Sequence, residues 1–379
     1  MNERPVLLAT NTYGLLGRDV NGVSYTCQNI VRQFREAGIS VDVLTYGAQE
    51  TVLALDDYTR ILVHAPVHGV DIDPTLRVDP FVGMGRIARE VTATSYSIVH
   101  STTPDPLGWL AASVAKKQQI PLVAGYHTMV DIYARVRMGA LAERAARLLL
   151  DWYYTKADLI LAPSEPVREL LADRYRIPVA TLGRGVDGEL FSPKHRTRNC
   201  DGEVRALYVG RVAAEKGLDT LAALDGTTDF TMTIAGDGPY MNALRELLPS
   251  ARFTGMIRGE RLSREFASAE FFVFPSETDS FGNVVLQAMS SGLPVVVMDK
   301  LGAKESVIDG VTGIVARDRV AFIDACHALA RDASMRERMG MAARAHAARF
   351  RWDAILHRLL ELYASAGWRA SEAAVALAA

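Results

Sequence analysis

The chain has 379 residues, enough for two or three domains, and its 49% hydrophobic and 23% charged residues describe a globular rather than a disordered protein. A formal net charge of −2 at pH 7 provides no global field to draw in nucleic acid. Cys27, Cys200 and Cys326 lie far apart, which excludes a disulfide framework and a cysteine-based metal site, and no uninterrupted apolar stretch approaches a membrane span.

The N-terminus, Met1-Asn-Glu-Arg-Pro5, lacks the apolar core of a signal peptide, so a cytoplasmic location is expected. It leads directly into a buried strand at 5–10. An amphipathic helix follows at 22–37, stopped by Gly38, and then a strand at 41–45. This βαβ opening predicts a parallel, doubly wound α/β sheet. Further strands are predicted at 61–64, 97–100, 122–126, 159–162 and 179–182, with Ser164 as a helix N-cap and Pro166 in the first turn of that helix. Residues 191–202 are polar and charged, contain Pro and Gly, and read as a linker. A second series then begins: a strand at 205–209, a helix from Gly217, a strand at 231–235, a helix from Pro239, and strands at 251–254 and 271–274. From Trp352 the pattern is helical to the end.

The most informative segment is 274–297, which reads strand, polar loop, helix, glycine turn, strand. Ligands of open α/β sheets bind at the carboxyl ends of strands and at helix N-termini. Here that position carries Asp279, Gly282, Asn283 and, one helical turn on, Gln287 on the same face as Asn283. Such a cluster suits a polyhydroxylated ligand. Arg211 and Lys216 stand between a strand and a helix, where backbone amides already favour phosphate. The first loop, 10–23, contains Gly14 and Gly17 but not Gly-x-Gly-x-x-Gly, which argues against a dinucleotide site. His127 follows the strand at 122–126; by itself such a histidine is more often packed than catalytic. Arg135, Arg137, Arg144 and Arg147, interleaved with Met138, Leu141, Leu148 and Trp152, form a basic amphipathic stretch. It reads either as a surface helix with its arginines in water or as a docking face for anionic lipid.

With these motifs in this order, the chain resembles the retaining glycosyltransferases of family 4. Asp279, Phe281 and Gly282 fit the family's acidic signature, while Gln287 stands where the family usually has Glu. The resemblance implies the GT-B fold: two Rossmann-like domains facing each other across a cleft, with the donor clamped between them. It implies an acceptor-side domain at 1–190, to which the C-terminal helix at 352–379 crosses back, and a nucleotide-sugar-binding domain at 203–351. It implies transfer of a hexosyl group from a UDP- or GDP-linked sugar to an acceptor hydroxyl; glycolipid-acting members look nearest, with polysaccharide and small secondary-metabolite acceptors open, while peripheral membrane contact is the lipid-docking reading of the basic stretch. Asp279 and the amides of Phe281, Gly282 and Asn283 would hold the donor sugar, and Gln287 the ribose. Arg211, Lys216 and the amide of Gly22 would meet the diphosphate. The backbone of Met256 and Ile257 would line the base, and His127 would contact the transferred sugar. Two basic side chains would take a metal's role, so neither metal nor cofactor is expected. A nucleotide-sugar epimerase, a phosphorylase on a related fold, and a GT-B subunit with a decayed site stay open as alternatives.

Overall fold

The structure, a computed structural model, describes residues 4–15, 21–65, 70–73, 76–79, 82–197 and 202–369. Gly17, Cys200, the side chain of Arg137 and the chain beyond residue 369 lie outside the described residues. The chain divides into two compact units: unit 1 runs to Gly183 and resumes at Trp352, and unit 2 is Arg184–Arg351.

Unit 1 opens with β1 (Val6–Ala9), α1 (Gly22–Glu36) and β2 (Val41–Tyr46). It continues through β3 (Thr51–Ala54), β4 (Thr59–His64), the hairpin β5 (Val70–Asp73) and β6 (Leu76–Val78), and α2 (Arg86–Ala93). Next come β7 (Ile98–Ser101), α3 (Pro106–Gln118), β8 (Leu122–Gly125), α4 (Val130–Met138), α5 (Ala140–Tyr154), β9 (Leu159–Ala162), α6 (Glu165–Arg174) and β10 (Val179–Thr181). The main sheet has the order β10-β9-β8-β7-β1-β2-β4-β3, and only the edge strand β3 is antiparallel. Both faces of the inner strands are covered, which is why Val6-Leu-Leu-Ala9 is apolar throughout instead of alternating. Ser164 does occupy the N-cap of α6, but its hydroxyl makes no capping bond.

Unit 2 contains β11 (Arg205–Val209), β12 (Thr231–Ala235), α7 (Met241–Leu247), β13 (Arg252–Gly255), α8 (Gly259–Ser268) and β14 (Phe271–Phe274). It ends with α9 (Asn283–Ser290), β15 (Val295–Met298), β16 (Gly313–Ala316), α10 (Arg319–Arg331) and α11 (Ala333–Ala347). Its sheet is wholly parallel, ordered β13-β12-β11-β14-β15-β16. The α-helix expected from Gly217 is instead two 3-10 segments, Ala214–Lys216 and Leu218–Leu224. Gly217 sits between them at φ 64, a left-handed conformation that no α-helix continues through.

The last helix, α12 (Trp352–Ser365), belongs to unit 1, where Leu359, Leu360 and Tyr363 enter the same core as Val6, Val43 and Phe34. Each such buried leucine contributes about 1.5–3 kcal/mol as an upper estimate. The Tyr363 hydroxyl also meets His100 Nδ1 at 2.7 Å, tying α12 to β7. The division at Gly183 precedes the segment expected as a linker, because the start of that segment is already packed: Phe191 is in the core of unit 2, and its carbonyl accepts from Ser290 Oγ at 2.7 Å.

Candidate active site

Strand order locates the site in unit 2. The chain leaves β11 for β12 and β13 on one side, then returns to β14 and proceeds to β15 and β16 on the other. Beyond the carboxyl ends of β11 and β14 the onward connections therefore run to opposite sides, and this switch point is where open α/β sheets hold ligands. The loop after β11 carries Arg211 and Lys216, and the loop after β14 carries Asp279.

The two loops meet. Lys216 Nζ donates to both carboxylate oxygens of Asp279, each at 2.8 Å, with the side chains 12% and 19% exposed. Two backbone contacts support this pair. Thr278 Oγ1 donates to the Glu215 carbonyl at 2.9 Å, and Gly302 N donates to the Asp279 carbonyl at 3.2 Å. Gly217 makes the approach feasible, since a Cβ there would lie 2.9 Å from the Pro275 carbonyl oxygen. The Arg211 carbonyl accepts from the Tyr208 hydroxyl at 3.0 Å, and its side chain is half-buried.

Gly282 takes the N-cap of α9 in a left-handed conformation, φ 81 and ψ 64, and so turns the Asp279 loop into the helix. Asn283 is half-buried and opens α9, while Gln287, one turn on, is buried. The side chain of Phe281 is buried, with the guanidinium of Arg184 6.0 Å from its ring centre. Arg184 itself is only 4% exposed. Only the packing brings out this buried cation beside the Phe281 ring. The Ile257 side chain belongs to the core, whereas that of Met256 is exposed.

Unit 1 holds the other two residues of the reading. Gly22 is the first residue of α1, where Asn21 Oδ1 accepts from Val23 N at 2.9 Å and Ser24 N at 3.0 Å. This capping box fixes how the loop after β1 enters the helix. His127 is half-buried just past β8, folded back so that a Cβ on Gly125 would lie 2.6 Å from its Nε2. The imidazole of His100 abuts the same glycine from β7 and is held by Tyr363. Neither His100 nor Tyr363 stands out in the sequence. Nearby, Asp105 caps α3 by accepting from Leu107 N at 3.0 Å and Gly108 N at 3.2 Å, and burial raises its carboxyl pKa above the usual range. Among the described residues there is no group of three or more His, Cys, Asp or Glu arranged to hold a metal.

A sequence model described as Glycosyltransferase Family 4 matches residues 20–190, and one described as Glycosyl transferases group 1 matches residues 203–332. The GDP-mannose-dependent alpha-mannosyltransferase of Mycolicibacterium smegmatis is 33% identical, covering 91% of this chain and 94% of that protein. The chain is a family 4 glycosyltransferase. The sulfoquinovosyl transferase SQD2 of Arabidopsis thaliana is 30% identical over 92% of this chain and 72% of its own. Among solved structures, sucrose-phosphate synthase from Thermosynechococcus elongatus superposes with a TM-score of 0.80 at 20% identity, covering 96% of this chain and 99% of that one. The fold of this family 4 enzyme is accordingly GT-B, and its chemistry is glycosyl transfer from a nucleotide sugar. No helix among the described residues is long and apolar enough to cross a membrane.

Proposed function

We propose that this family 4 glycosyltransferase moves a hexosyl group, with retention of configuration, from a nucleoside diphosphate sugar to the hydroxyl of a lipid-linked acceptor. The observation that carries the reading is the Lys216–Asp279 pair, set at the point where the strand order of unit 2 reverses. One member suits a diphosphate and the other a sugar hydroxyl. The bond from the anomeric carbon to the phosphate oxygen breaks, and the acceptor oxygen bonds to that carbon from the same face. The acceptor's proton passes to the departing phosphate oxygen. Lys216 and Arg211, with the amide of Gly22, stabilise the charge that develops on the leaving group. Asp279 and the amides of Phe281, Gly282 and Asn283 orient the sugar. Gln287 is assigned to the ribose, Ile257 to the base and His127 to the transferred sugar.

GDP-mannose is the first donor to try, because the mycobacterial relative is named for it. A lipid-linked acceptor is favoured by the chain's own surface: the His127 loop leads into α4 and α5, whose outer faces are apolar. Such an acceptor brings peripheral contact with a membrane from the cytoplasmic side. Calorimetric titration with GDP, UDP and ADP tests the donor class, and micromolar binding of one of them alone is expected. Binding of none would remove the reading.

Two further results are expected. Turnover persists in excess EDTA, because the basic side chains supply the cation; a complete loss restored by magnesium or manganese would show that a metal shares the diphosphate. Gln287→Glu keeps or tightens nucleotide binding, because a charged acceptor makes a hydrogen bond to a ribose hydroxyl about twice as strong as a neutral one. A complete loss of binding in that variant would mean that Gln287 reads something other than ribose.

A further inference from the structure

The most unusual surface of the molecule lies on the two helices that follow the His127 loop. On α5, Leu141, Ala145, Leu148 and Trp152 recur at helical spacing, yet they face outward. Leu141 is 86% exposed, Leu148 66%, and Met138 at the end of α4 72%. A contiguous apolar stripe of this size marks an interaction site rather than ordinary surface.

The charge around the stripe is biased. Residues 130–156 contain five basic residues against three acids. Two of the acids are turned inward, and the third, Asp151, is paired with Arg174 at 2.8 Å. Glu143 is held by Arg135 at 3.3 Å and Arg147 at 3.5 Å, with its side chain 14% exposed. Asp131, almost fully buried, is held by Arg147 at 3.4 Å and Arg174 at 3.1 Å. The side chains of Arg135 and Arg147 remain more than half exposed, Arg144 is exposed, and Lys156 caps the ring of Trp152 at 2.7 Å. Trp152 in turn packs edge-on against Trp109. Apolar side chains at the centre, a tryptophan at the margin and arginines around them form the pattern of a helix lying in a lipid interface.

We propose that the outer face of α4 and α5 docks on an anionic lipid bilayer, with Met138, Leu141, Leu148 and Trp152 entering the headgroup region and Arg135, Arg144 and Arg147 meeting lipid phosphates. The purpose of this contact rests on the reading of a lipid-linked acceptor, but its geometry does not. A second copy of this chain is the other occupant that an apolar face invites. A twofold contact would bring together two faces with the same basic bias, whereas phosphate headgroups neutralise that charge.

The test is sedimentation of the full chain with phosphatidylcholine vesicles, with and without phosphatidylglycerol. Binding is expected only with the anionic lipid. Leu141→Glu/Leu148→Glu should weaken it by more than about tenfold, and Arg144→Ala by about fivefold, the contribution of one basic residue near a charged surface. Affinity for the nucleoside diphosphate and the thermal melt should be unchanged, because these side chains point into solvent. Equal binding by all variants, or binding by none including the parent chain, would overturn the proposal. So would a concentration-dependent dimer that the double substitution dissolves. Failure of the acceptor reading looks different: vesicle binding persists while no lipid-linked hydroxyl accepts sugar.

Discussion

Lys216→Ala is expected to lower kcat by about 10²–10³, the usual loss when one preorganised partner of a developing negative charge is removed. The structure makes this prediction sharper than simple loss of a cation. Lys216 is held by both oxygens of Asp279, so the ammonium is aimed before any donor arrives. A donor diphosphate competes with that carboxylate for the same ammonium. Asp279→Asn should therefore bind the nucleoside diphosphate as tightly as the parent or more tightly, while turnover falls because the sugar loses its orienting carboxylate. Lys216→Ala should weaken the same binding. The two substitutions thus carry opposite signs on affinity and the same sign on kcat. Because each removes the other's partner, the double variant should lose less than the product of the two single losses. Steady-state kinetics with calorimetry on the four proteins reads all of this. A near-normal kcat for Lys216→Ala would remove the leaving-group role. The fold should survive, since both side chains lie outside the core and leaving one unpaired costs about 1–3 kcal/mol.

The second large effect is structural and acts from behind the site. Gly236, just past β12, lies against the turn that carries Arg211: a Cβ on it would stand 1.8 Å from the Gly210 carbonyl oxygen. The obstacle is backbone held in place, because Gly210 N donates to the Ala235 carbonyl and Val212 N to the Asp237 carbonyl, each at 3.0 Å. Gly236 also has φ 148, which side-chain-bearing residues rarely adopt. Strain and overpacking together put Gly236→Ala at a cost of about 3 kcal/mol or more. For a unit of this size that lowers the melting temperature by about 6–12 °C in scanning calorimetry. Nucleoside diphosphate affinity should fall with it, because the loop displaced is the one that presents Arg211. Gly83→Ala is the matched control: a Cβ there meets nothing within 4 Å, so a change within about 0.5 kcal/mol is expected. An equally stable Gly236→Ala would mean that the β11 and β12 turns are free to separate.

Much of the fold could be read from local pattern. The strands β9, β11, β12 and β14 lie where their apolar runs placed them, because a parallel strand buried on both faces must be apolar throughout, as in Phe271-Phe-Val-Phe274. The edge strand β3 is not legible, since Thr51–Ala54 is a half-exposed antiparallel edge, and its apolar run Val52-Leu-Ala54 does not mark a strand buried on both faces. The α-helix expected at Gly217 gives way to 3-10 geometry because periodicity does not separate the two over one turn, whereas the left-handed glycine does.

The site divides along the same line. Local sequence specifies the kinds of groups available and the elements that carry them. An acid, a glycine and an amide follow one strand, and two cations follow another, since each depends only on its nearest neighbours in the chain. Which groups meet depends on contacts between parts distant in the chain. Lys216 and Asp279 are 63 residues apart, and His100 and Tyr363 are 263 apart. The first pair forms because β14 returns to lie beside β11, and the second because α12 packs on unit 1. Strand order and helix docking arise from burial summed over the whole sheet, and no local pattern around either partner encodes them.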